Sequence, residues 1–224
     1  MTIEPLGDSA VVLTVGPGLD EALLDRVRVI AAALECDPPV GVTDVVPAFS
    51  AITVFYDLAN IGGFAHFCAE LEQRVTRAVS TLAKDGGRVV EVPVCYGGEF
   101  GPDLGDVALK SGLDPAGAVA LHAEGSYVVQ AIGFAPGFGY LGGLAERLHT
   151  PRRATPRTLV PAGSVGIGGV VTGVYPFASP AGWNIIGRTP LTMFDATRAE
   201  PAILRAGYRV RFHAITPEEF AAWK

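Results

Sequence analysis

Two stripes of apolar residues at helical spacing stand out in the first third of the chain. Leu23, Leu24, Val27, Ile30 and Leu34 recur every three or four residues, and Asp20 precedes them as an N-cap. Phe64, Phe67, Leu71, Val75, Ala78 and Leu82 mark a second, longer helix, which Asp85-Gly86-Gly87 ends. Short apolar runs at 10–15, 42–46 and 51–56 read as strands, the last two joined by a turn at 47–50. Helices mixed with strands in this way predict a small α+β domain over residues 1–86, with helices covering one face of a sheet.

The pattern then changes. Val89–Tyr96 alternates toward Val90, Val92 and Val94. Two short helical pieces follow, and Asp114 before Pro115 supplies an N-cap and first-turn pair for the second, which runs to about Glu124. From Tyr127 onward the signals are β, at 127–134, 158–161, 165–167, 170–174, 183–187, 191–194 and 208–215. Many short strands between glycine and proline turns predict a barrel or sandwich over residues 87–224. Thr216-Pro217-Glu218-Glu219 is a capping box that opens a last helical turn holding Phe220 and Trp223.

Composition narrows the class. An apolar fraction of 49% with 18% charged residues suits a compact globular chain. No apolar run reaches the roughly 20 residues that span a bilayer. The start MTIEPLGDSA lacks the basic and apolar regions of a signal peptide. Cys36, Cys68 and Cys95 are odd in number and form no CxxC pair, which predicts free thiols in the cytoplasm. The four histidines have no metal-ligand spacing, so no metal site is expected.

Charge is unevenly spread. Residues 1–125 hold seven Lys and Arg against 18 Asp and Glu, whereas residues 126–215 hold nine Arg, no Lys and three acids. This asymmetry points away from nucleic acid and toward a local anion site, the alternative being that the arginines are simply solvated. Five of the arginines fall within residues 133–190, a segment rich in glycine and proline. Long connections of that composition shape a surface as well as joining strands.

Generic catalytic motifs fail. No lysine follows a glycine, which excludes a P-loop; Gly166, Gly168 and Gly169 do not complete GxGxxG. Gly163-Ser164-Val165-Gly166 has Ala162 where a nucleophile elbow needs glycine, and no helix pattern follows it.

The segment taken whole is more specific. GFAPGFGYLGGL from Gly133, the doubled TPR ending at Arg152 and Arg157, VPAGSVGI from Val160, TGVYP from Thr172, SPAGWNIIGRTP from Ser179 and Met193-Phe194-Asp195 form one pattern. Together they resemble the family of 5-oxoprolinase B subunits, allophanate hydrolase subunit 1 proteins and sporulation kinase inhibitor-like proteins. Upstream, Gly7-Asp8-Ser9-Ala10, Pro93-Val94-Cys95-Tyr96-Gly97-Gly98, Gly101-Pro102-Asp103-Leu104 and Leu121-His122 match as well, so the resemblance covers nearly the whole chain. Ala181 departs from the family's usual glycine.

The resemblance implies a small α+β domain followed by a cyclophilin-like β-barrel. It implies three functional classes. One is the B component of a 5-oxoprolinase, which hydrolyses 5-oxo-L-proline to L-glutamate using ATP. It works with a C subunit like allophanate hydrolase subunit 2 and an A subunit of the LamB/YcsF type. ATP, with Mg2+, would be contacted by this chain or by its partner. The other classes are a carboxyltransferase part related to urea carboxylase, and a histidine-kinase inhibitor. For the enzyme readings Arg152, Arg157 and Arg188 are candidates to neutralise phosphate or carboxylate charge. Ser164, Gly137 and Phe138 complete the expected substrate or nucleotide surface, with Phe138, like Phe134 and Trp183, read as an apolar wall or as core. Tyr140 and Tyr175 would stack on a ring or donate a hydrogen bond, or else pack in the core. His122 is an acid–base candidate, against which its place at the end of a helical stretch favours capping or packing. A component of this kind is expected to be inactive alone, and neither nucleic acid nor membrane is an expected partner.

Overall fold

The computed structural model describes residues 1–18, 21–80 and 88–223. Asp20, Leu82 and the Asp85-Gly86-Gly87 stop therefore lie outside the described residues. The chain divides into two compact units, Met1–Gly86 and Gly87–Lys224.

In the first unit, β1 (Thr2–Pro5), β2 (Ala10–Thr14), β3 (Val42–Ala48) and β4 (Ala51–Tyr56) form an antiparallel sheet in the order β1-β2-β4-β3. Helices α1 (Glu21–Cys36) and α2 (Phe64–Ser80) bury the expected stripes, with Val27, Ile30, Leu34, Phe67, Leu71 and Val75 packing with Leu13, Ile52 and Val54. Two expectations need correction. Phe64, at the first position of α2, is 41% exposed rather than part of the stripe. The turn between β3 and β4 is also shorter than 47–50, because Pro47 pairs with Ile52 and only Phe49 and Ser50 turn the chain. Phe49 takes φ +53 there, a conformation that a two-residue hairpin requires of its first position. Strand β1 has no clear alternation of its own and forms by pairing with β2.

The second unit is a barrel. Its strands are β5 (Val89–Tyr96), β6 (Tyr127–Ile132), β7 (Gly139–Gly142), β9 (Ser164–Gly168), β10 (Val171–Val174), β12 (Asn184–Arg188) and β13 (Arg209–Ala214). They run in the order β6-β13-β5-β12-β9-β10-β7, and β7 pairs back onto β6, so the seven strands close. Only β5 and β13 are parallel among these neighbours. Val92 and Val94 point into the interior with Val165, Ile167, Val210 and Phe212, which accounts for the alternation in β5. Strands β8 (Arg157–Val160) and β11 (Ser179–Ala181) form a separate two-stranded pair.

The expected strand at 191–194 is absent: Phe194 makes a single bridge to Ala202. Asp195 N donates to Pro201 O at 2.8 Å and Ile203 N to Met193 O at 3.0 Å, so the segment meets residues 201–203 over too short a stretch to make a ladder. Helices α3 (Leu104–Lys110) and α4 (Pro115–Ala123) connect β5 to β6. Asp114 caps α4 by accepting from Gly117 N at 2.8 Å, as its position before Pro115 predicts. Helix α5 (Pro217–Ala222) carries the expected capping box, Glu219 N donating to Thr216 Oγ1 at 3.2 Å and Thr216 N to Glu219 Oε2 at 2.8 Å. We expect Thr216→Ala to cost about 1 kcal/mol. An unchanged urea midpoint would show that α5 does not need its cap.

Candidate functional site

Strands β9 and β12 present two faces. Val165, Ile167 and Ile186 fill the barrel, while Ile185 and the neighbouring Trp183 belong to a second cluster with Phe138, Val160, Tyr175 and Ala181. Glycines on β9 make room for that cluster. A Cβ at Gly168 would sit 2.5 Å from the Trp183 indole, so only glycine lets the ring lie against the strand. The aromatic rings meet edge to face: Phe138 lies 5.0 Å from Tyr140, 5.1 Å from Tyr175 and 5.4 Å from Trp183. Burial pushes the Tyr175 hydroxyl up to about 12, and nearby Arg152 pulls partly against this.

Val160 and Ile185 also line an adjoining cleft of about 250 Å³. Its walls include Arg157, Arg188, Ser164, Leu159, Glu99 and Phe100. The arginines are held in place. Arg188 donates from Nε to Ala162 O at 2.8 Å and lies over the Phe220 ring, 5.7 Å from its centroid. Arg157 grips Asp103 with both terminal nitrogens, Nη1 to Oδ2 and Nη2 to Oδ1, each at 2.7 Å. That pairing holds the Arg157 guanidinium above its usual range. Ser164 is buried and donates its hydroxyl to Pro161 O at 2.7 Å, so it lines the cleft without presenting a free nucleophile.

The predicted residues thus fall into three places. Arg157, Arg188 and Ser164 meet at the cleft. Phe138, Tyr140 and Tyr175 form the aromatic wall behind it, and exposed Arg152 stands beside Tyr175. Gly137 takes φ +79 in the loop leading to this wall, where a Cβ would come 2.9 Å from that of Phe194. The same loop holds Phe134 at φ +67, a residue 62% exposed.

His122 is elsewhere. It is fully buried on α4, packed 4.6 Å from Phe212 and 5.4 Å from Tyr127. Its Nδ1 lies 2.8 Å from Tyr96 Oη and its Nε2 3.0 Å from Thr172 Oγ1. Thr172 gives its only hydroxyl proton to Gly166 O at 2.9 Å, so it accepts from Nε2–H and Tyr96 donates to Nδ1. Burial lowers the imidazole to about 3 and keeps it neutral. With no exposed surface and both nitrogens engaged, it has no contact to offer a ligand; packing describes its place.

Asp103 and Arg153 are the residues that sequence reasoning missed. Asp103 sits in the Gly-Pro-Asp-Leu stretch, just before α3, and its signal was a lone acid whose partners lie fifty and more residues away. Among the described residues no three metal-ligating side chains converge, and no helix is long and apolar enough to cross a membrane.

Comparison with known proteins agrees with the resemblance. The carboxyltransferase domain family, subdomain C and D, matches residues 1–204. The chain belongs to this family. It is similar to the 5-oxoprolinase B subunit of Bacillus subtilis (strain 168), with 42% identity over 230 residues covering 99% of this chain and 96% of that protein. The crystal structure of TTHA0988 is 37% identical with a TM-score of 0.78, over 92% of this chain. This chain spans only 40% of that longer one. The urea amidolyase of K. lactis shares the fold at a TM-score of 0.75 and 18% identity, over 98% of this chain and 15% of that one. The carboxyltransferase-domain fold is therefore common to chains of very different length.

Proposed function

We propose that this chain is the B subunit of an ATP-dependent 5-oxoprolinase that hydrolyses 5-oxo-L-proline to L-glutamate together with its A and C subunits. The observation that carries the reading is the 42% identity, end to end, with a 5-oxoprolinase B subunit. The cleft supports it chemically. A lactam resists water until its oxygen is activated, and phosphorylation by ATP is the activation the family reading supplies. Two fixed guanidinium groups suit the oxygens of a phosphoryl group or of the substrate carboxylate.

A cleft of about 250 Å³ fits a small ring with one anionic group and falls below the range usual for larger ligands. In this reading another chain of the complex holds the nucleoside of ATP. The component is, in the same reading, inactive alone and works in the cytoplasm as part of a hetero-oligomer. What this chain's residues do is orient the anion with Arg157 and Arg188, and close one side of the cleft with Leu159 and Phe100.

The test is reconstitution. The chain is purified with its C partner, the A partner is added, and glutamate release from 5-oxoproline is followed with and without ATP. Arg188→Ala and Arg157→Ala are each expected to lower turnover about 10–100-fold, the worth of a charge-assisted hydrogen bond, while assembly is kept. Wild-type turnover in both variants would remove the cleft from the mechanism. The family match and the urea amidolyase fold favour a carboxyltransferase as the second reading. No glutamate release, with carboxylation of a urea-like acceptor, would establish it in place of the first.

A further inference from the structure

Asp103 stands in the N-cap position of α3 yet makes no side-chain cap. Its carboxylate turns instead to four other donors. Oδ1 accepts from Arg153 Nη1 at 2.6 Å and Arg157 Nη2 at 2.7 Å. Oδ2 accepts from Arg157 Nη1 and from Ile185 N, both at 2.7 Å. The side chain is 3% exposed, against 27% for Arg157 and 31% for Arg153. Four donors fill the acceptor sites of a carboxylate, so Asp103 has no lone pair left to take a proton from a substrate. It is not a catalytic base.

Its contacts do something else. Ile185 is on β12, and Asp103 N returns a bond to Ile185 O at 2.9 Å. The carboxylate is thereby locked to the barrel wall. Arg157 then docks on it end-on, through its two terminal nitrogens. That fork leaves the Nε edge of the guanidinium without a partner among the described residues, on a side chain that lines the cleft. Two arginines share one carboxylate, so the cluster keeps a net positive charge. Without the anchor, the four side-chain torsions of Arg157 would be free, and the donor edge would have no fixed direction.

We propose that Asp103 is the positioning residue for Arg157, setting the guanidinium edge that meets the anionic group in the cleft. This rests on the 5-oxoprolinase reading and on Arg157 being part of it.

The test uses the reconstituted complex with Asp103→Asn, Arg157→Lys, Arg157→Ala and the double variant Asp103→Asn with Arg157→Ala. Asparagine keeps an acceptor for Ile185 N–H and removes the charge that holds the fork. Lysine keeps the charge on residue 157 and cannot fork. Asp103→Asn and Arg157→Lys are each expected to lower kcat about 10–100-fold with KM shifting less than about threefold. The double variant is expected to be no slower than Arg157→Ala alone, since Asp103 acts only through that residue. An Asp103→Asn loss that persists in full in the Arg157→Ala background would overturn the proposal, as would wild-type kcat in Arg157→Lys. Wild-type turnover in Arg157→Ala would overturn it at its base, by removing Arg157 from the reaction. Absence of glutamate release from the wild-type complex would instead sink the 5-oxoprolinase reading, and the same variants would then be scored on acceptor carboxylation.

Discussion

Replacing His122 by alanine is expected to destabilise the barrel unit by about 3–5 kcal/mol, read as a lowered urea midpoint. Three losses act together. A buried ring disappears from among Tyr96, Tyr127 and Phe212, leaving space that the closed barrel cannot collapse into. Tyr96 loses its acceptor, and Thr172 loses its donor. Each orphaned buried group adds its desolvation cost.

The same residue makes stability depend on acid. In the unfolded chain His122 titrates near 6.5, whereas burial lowers it to about 3 in the fold. Between those values the unfolded state binds the extra proton, so stability is full above about pH 6.5 and falls as pH drops toward 3. From about pH 6.5 to about pH 4.5 the loss from this group is roughly 2 kcal/mol. Glutamine at this position offers a donor and an acceptor but no proton to gain. The wild type is therefore expected to lose more stability than His122→Gln over that interval. Parallel pH–stability curves for the two proteins would refute the account.

His122 also shows where sequence reading stops. Its place near the end of α4 was legible, because Asp114-Pro115 opens a helix by local rules that need no distant partner. A packing role was legible too, but its partners were not, because Tyr96 and Thr172 come from segments 26 and 50 residues away. The same division runs through the fold. The helical stripes, the capping box and the alternation of Val90, Val92 and Val94 follow from local spacing. Strands β7 and β11 are three or four residues long and exist through their pairing with β6, β10 and β8. The segment at 191–194 has the alternation, and its neighbour at 201–203 gives it a single bridge. At the cleft, residue type revealed Arg157 and Arg188 as anion-binding candidates. Their orientation depends on Asp103 and on Phe220, which no spacing rule connects to them.

Gly101→Ala is expected to be more damaging than its single methyl suggests. The loop that carries Asp103 lies flat on β12, with Gly97 N donating to Ile186 O at 3.0 Å and Gly101 N to Gly97 O at 2.8 Å. A Cβ at Gly101 would overlap the Ile186 carbonyl and come within 2.7 Å of Gly97 N. Both obstacles are backbone, so no rotamer change relieves them. The loop must lift from the strand, stretching the bonds from Asp103 N to Ile185 O and from Ile185 N to Asp103 Oδ2. Overpacking and the weakened buried bonds together cost about 3–5 kcal/mol. Gly105 provides the contrast. It lies within α3 with nothing within 4 Å of a built Cβ, and alanine there favours the helix by up to about 1 kcal/mol. Urea midpoints should therefore move in opposite directions for the two substitutions, a wild-type midpoint in Gly101→Ala being the result that breaks the argument. The arginine site depends on this close seat of loop on strand, since Asp103 reaches Arg153 and Arg157 only while the loop holds it there.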